Sequence, residues 1–192
     1  MGVCSSYINE AQDAAQSLLK GINRGLSKLN LPEYIDPTHP PDVYVKHLFG
    51  RSALDHHGAS LLIEIGELAE EHNLGPHLVL VAANPYRVVF LPYDFPEPFD
   101  TTHQELLASD YYPVWAGSSQ RLLGELLKAA PHLGIPLASG ELPDAVADKI
   151  NEFEPLFEGD SDAGAESRSA WLVLHEGARL AAKHNVALSL AG

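Results

Sequence analysis

Apolar residues Ile8, Ala11, Ala15, Leu18, Ile22, Leu26 and Leu29 recur at intervals of three and four. This spacing predicts a helix over 8–29 with one apolar stripe, and Asn9 or Ser6 is suited to cap its start. Gly21 and Gly25 lower helix propensity, but their spacing of four puts both on one face, where a neighbouring element can approach closely. Pro32, Pro37, Pro40 and Pro41 exclude a regular helix over most of 30–51, leaving room for a short strand or helix at 43–49. The helical period resumes over 53–72, with Ser52 as a cap and Leu54, Leu61, Ile65 and Leu68 inward. Asn73 and Gly75 end it, and Pro76 follows.

The period then changes. The β-rich runs 77–83 and 86–91 are separated by the turn dipeptide Asn84-Pro85, which predicts a β-hairpin over 77–91. Residues 92–99 carry three prolines and should be extended but irregular. A short helix is expected at 103–108. A longer one is expected over 119–130, with Leu122, Leu123, Leu126 and Leu127 inward and Pro131 stopping it. Pro143 suits the first turn of a helix over 143–153. The last helix, 166–184, carries Trp171, Leu174, Ala178 and Ala181 on one stripe. Lys183 and His184 suit its negative end, Asn185 can cap it, and 186–190 can add a final strand. No internal repeat is evident. The nearest thing to a linker, 152–166, holds six carboxylates and no cation but is too short to divide two domains. The expectation is one α+β domain over 1–192, mostly helical, with a small antiparallel sheet built on the 77–91 hairpin.

Composition agrees with this picture and adds exclusions. A chain of 192 residues, 45% apolar and 20% charged, can bury its own core without a metal or disulfide staple. Cys4 is the single cysteine, which rules out an intramolecular disulfide and fits a reducing compartment. The longest apolar run is about six residues, far short of the roughly 20 of a membrane-spanning helix, and no leader pattern is evident, so a cytoplasmic location is expected. Twelve Lys and Arg against 26 Asp and Glu leave a net charge of −14. That balance repels phosphate backbones and anionic lipid, so no nucleic-acid partner is expected, and it steers basic proteins inward. A weaker reading starts from Met1-Gly2-Val3-Cys4-Ser5-Ser6, which fits a loose lipidation pattern at Gly2 and Cys4. The basic stripe Lys20, Arg24, Lys28 would then touch lipid.

Candidate chemistry is sparse. His57, Glu64, Glu67 and Glu71 share a helix face, but about 10 Å of rise separates the first two, so no metal site is expected. Asp55-His56-His57 reads as a polar helix cap. Asp160-Ser161-Asp162-Ala163-Gly164 starts like a calcium loop but lacks its later ligands. Gly117-Ser118-Ser119 lacks the second glycine of a nucleophile elbow and follows no evident strand. No phosphate-binding loop, dinucleotide fingerprint or zinc-protease motif is present, and no cofactor is expected. Glu67, Glu70 and Glu71 crowd the negative end of their helix, which costs local stability without visible compensation and points to a partner. The aromatic residues gather over 86–115, where Tyr93, Phe95 and Phe99 in proline-broken chain could line a pocket or contact surface. The leading expectation is therefore a non-catalytic acidic protein of immunity or adaptor type. It would recognise a basic protein through Glu64, Glu67, Glu70, Glu71, Tyr93, Phe95 and Phe99. The alternative is a small hydrolase assembled from dispersed His, Asp and Glu near 86–115.

Overall fold

The apolar stripe at the start of the chain forms helix α1 (Cys4–Lys28), and its inward residues Ile22 and Leu26 are buried. A computed structural model describes residues 4–35, 58–84, 87–101, 115–157, 160 and 162–191. After α1 come α2 (Gly58–Glu71), α3 (Pro76–Ala83), β1 (Arg87–Leu91), β2 (Phe99–Asp100) and β3 (Trp115–Ser118). The chain continues with α4 (Ser119–Ala129), a 3-10 turn (Ala130–Leu133), α5 (Asp144–Asn151), α6 (Asp162–His184) and β4 (Leu188–Ala191). The helix-dominated α+β expectation holds. The expected helix at 103–108, the Asp55-His56-His57 cap, Gly2 and residues 36–51 lie outside the described residues.

The 77–91 hairpin does not form. His77 to Ala83 is the body of α3, which buries His77, Leu78, Leu80 and Val81. A short apolar run enclosed on most sides has no period to tell helix from strand. The deciding signal lies just before it: Gly75 is the N-cap and Pro76 sits at the first helical position, where a fixed φ and a missing N–H cost nothing. Those two residues, read as the end of α2, also begin α3.

The sheet is mixed rather than antiparallel. Its order is β2-β3-β1-β4, with β1 parallel to β3 and antiparallel to β4. Thus β1 takes both partners from distant segments, Val88 facing Trp115 on one side and Leu190 on the other. The central strand is covered on both faces. Val88 and Phe90 pack into a core with α2, α3, α4, α5 and α6, while Val89 and Leu91 pack with Ile22 and Leu26 of α1. The close approach expected at Gly21 and Gly25 is present, since a Cβ on Gly21 would strike the Thr101 carbonyl and one on Gly25 the Phe99 ring.

Three helices end alike. Asn30, Asn73 and Asn185 take left-handed φ values of 55°, 51° and 56°. The next amide donates back to Leu26, Ala69 and Ala181 at 2.9, 2.9 and 3.1 Å. Asparagine tolerates that conformation better than most side chains, which is the signal legible in the sequence at Asn73 and Asn185.

Candidate functional site

Helix α2 sorts its residues sharply. Leu61, Leu62, Ile65 and Ala69 are buried, whereas Ile63, Glu64, Glu67, Glu70 and Glu71 are exposed. At about 100° per residue, Glu64, Glu67 and Glu71 fall within an arc of about 60°, with Glu70 roughly 60° farther round. Seven residues at about 1.5 Å each set the four carboxylates along about 10.5 Å of helix axis. The Asn73 stop fixes where the helix ends, so Glu67, Glu70 and Glu71 occupy its last turn, where exposed carbonyls disfavour negative charge. Among the described residues no Lys or Arg pairs with any of the four. The basic stripe Lys20, Arg24, Lys28 is exposed on α1, which packs on the other face of the sheet.

Glu64 makes one contact just beyond the acidic stretch at 152–166: Ser167 at the near end of α6 donates to its Oε2 at 2.9 Å. Exposed Glu166 precedes that serine on α6. No sequence signal marks Ser167, which lies 103 positions away. Asp160, from the same stretch, behaves differently. Its carboxylate accepts twice from Arg168 Nη2, at 2.9 and 2.8 Å, and from the Leu156 amide at 2.9 Å, with both side chains almost wholly buried. Asp160 therefore secures the loop to α6.

Other carboxylates are also committed inward. Glu125 of α4 accepts from the Leu78 amide at 2.7 Å and lies 3.0 Å from His77 Nδ1. It supplies from a distance the cap that Gly75 has no side chain to provide, and Gly75 leaves the room, since a Cβ there would collide with the Glu125 carboxylate. On α6, buried Glu176 lies 3.2 Å from His175 Nδ1 and accepts from Arg179 Nη2 at 2.6 Å. Burial alone would raise its pKa, but the hydrogen bonds from His175 and Arg179 and the Arg179 charge lower it from 4.5 to about 2.

The aromatic part of the expected contact surface is mostly core. Phe95 is 2% exposed and packs beside Phe99, with ring centroids 5.4 Å apart, and Phe99 in turn lies on the Gly25 face of α1. Half-buried Tyr93 meets Tyr34 edge-on and donates from its hydroxyl to the Glu33 carbonyl at 3.2 Å. Prolines break the ladder in 92–98 without preventing its rings from filling the gap between α1 and the sheet. Phe95 has no surface left to offer.

Gly117-Ser118-Ser119 does follow a strand, since β3 runs directly into α4. Ser118 caps α4 by accepting from the Arg121 amide at 3.2 Å, and Ser119 Oγ donates to the Leu91 carbonyl at 3.0 Å. Both hydroxyls are buried and committed, so neither is a poised nucleophile. A cleft of about 450 Å3 beside α4 has Glu125, Asp94 and Arg121 in its wall. Glu125 is spent on capping and Asp94 is paired with Arg121.

A family model described as "Putative DNA-mimic protein" matches residues 52–190. No curated protein and no solved structure matches the chain. The family match corrects the functional expectation. The family description does not support an immunity-type or adaptor protein for a generally basic partner, nor the hydrolase alternative. Net charge could not separate these readings, because charge that repels nucleic acid is also the charge needed to resemble it.

Proposed function

We propose, on the premise that this chain belongs to the "Putative DNA-mimic protein" family, that it occupies the DNA-contacting surface of a DNA-binding protein and offers carboxylates in place of phosphates. The observation that carries this reading is the spacing on α2. Four carboxylates over about 10.5 Å give one charge per about 3.5 Å, and one strand of B-form DNA carries one per about 3.4 Å. Carboxylates, like phosphates, accept the paired N–H groups of arginine. The helix holds Glu64, Glu67, Glu70 and Glu71 in place before the partner arrives, so little order has to be created on binding. This strip copies about three phosphate intervals of one strand. The proposal treats residues 1–192 as one unit, supported by the sharing of one sheet between α1 and the other helices.

The test is competitive elution. Lysate of the source cell is loaded on immobilised duplex DNA, and the chain is added at constant ionic strength. It should release a small set of DNA-binding proteins, and the Glu64→Gln/Glu67→Gln/Glu71→Gln variant should release them at least tenfold less well. Release by that variant, or by an unrelated protein of equal net charge, at the same concentration would sink the reading. So would no release at all.

A further inference from the structure

Two helix ends meet beside the acidic face, and each brings a histidine. His72 follows the last residue of α2, and His132 lies in the last turn of the 3-10 segment that extends α4. Their rings stack with centroids 3.9 Å apart and planes 21° apart, and both residues are exposed. Among the described residues neither ring has a hydrogen-bond partner. Both backbones are held by the stop that follows. Beyond His72, the Leu74 amide donates to Ala69 at 2.9 Å. Beyond His132, the Ile135 amide donates to Ala130 at 2.9 Å, with Gly134 left-handed at φ 69°.

We propose that His72 and His132 form a two-imidazole site for a borderline divalent transition-metal ion, copper(II) or zinc in preference to magnesium or calcium. Neutral imidazole nitrogen is the donor that suits these ions, and hard cations prefer oxygen. The surroundings favour a cation. The carbonyl ends of two helices carry partial negative charge, and Glu70 and Glu71 add full charges within the same turn of α2. Lys128, one turn before His132, is the opposing charge on α4. The stacked rings put two imidazoles within 3.9 Å of each other, centroid to centroid. A modest rotation about the side-chain torsions, open to exposed residues, turns them toward one ion, and water completes its shell. The site is peripheral to the core, so folding does not depend on it, and it stands independently of the DNA-mimic reading.

The experiment titrates copper(II), zinc or magnesium as simple salts into the full chain at neutral pH. Calorimetry gives the stoichiometry, and imidazole nitrogen NMR locates zinc. One tight equivalent of copper or zinc is expected, with shifts at His72 and His132 and no response to magnesium. His72→Ala and His132→Ala should each weaken that equivalent at least tenfold. The double variant should lose little more, because one ion is shared. Unchanged binding in both single variants, or zinc that leaves both imidazoles unshifted, would overturn the site, and so would equally tight magnesium.

Discussion

Helices α2 and α6 lie against each other and both carry glutamate, yet the four glutamates of α2 and Glu176 of α6 are treated in opposite ways. On α6 and the loop leading into it, Glu176 and Asp160 are buried and each is paired with an arginine. On α2 the four glutamates are exposed, and no described Lys or Arg pairs with any of them. Removing the cation from a buried carboxylate is strongly destabilising, whereas an exposed carboxylate at the wrong end of a helix costs a little stability and needs no cation. The contrast separates acid committed inside the fold from acid left on its surface.

The largest effect should come from breaking the inward pairs. Arg168→Ala removes the guanidinium that donates twice to the buried Asp160 carboxylate and should cost about 3–5 kcal/mol in a denaturant melt. A loss below about 1 kcal/mol would mean that the pair behaves like a surface one, and the contrast between the helices would weaken.

Glu176 predicts a pH signature. Its folded pKa is depressed from 4.5 to about 2, so its contribution is fully present above the unfolded value and is lost as pH falls through the folded one. Glu176→Gln should lower stability at neutral pH by something on the order of 1–3 kcal/mol. The gap to the parent protein should close as pH falls from about 4.5 toward 2, read from denaturant midpoints across that range. A gap constant with pH would show that the carboxylate's charge is not what matters.

The smallest effect, and the most telling in sign, belongs to α2. Glu67→Gln/Glu71→Gln removes two charges from the negative helix end and one i, i+4 repulsion. Stability should stay level or rise by about 0.3–1 kcal/mol, while competition with DNA falls. A clear loss of stability would make these glutamates structural partners of cations and erase the difference between the two helices.

Local signals carried a good deal of this. The asparagine stops at Asn73 and Asn185, the apolar stripes of α1, α4 and α6, and the glycine face of α1 are all readable, because each depends on residues within a turn or two. The exposed glutamate face of α2 was readable for the same reason. Its meaning was not. Composition reports that cations are attracted, whereas mimicry is a matter of spacing on a fixed helix and of the family to which residues 52–190 belong. Helix α3 was misread because Gly75-Pro76 can close one helix and open the next, and an enclosed apolar run shows no period.

By itself, then, the sequence determined where most helices run and stop, that acid outweighs base, and which glutamates share the outer face of α2. Those properties follow from torsional preference and from a 3.6-residue period, both local. Only the tertiary structure decided which acids are spent inside, because Asp160 with Arg168 and Glu125 with the start of α3 meet through packing. Only it decided that β1 pairs in parallel with β3, and that Phe95 belongs to the core. Contacts between distant segments depend on how faces of opposite elements fit together, and no single stretch of chain contains that information.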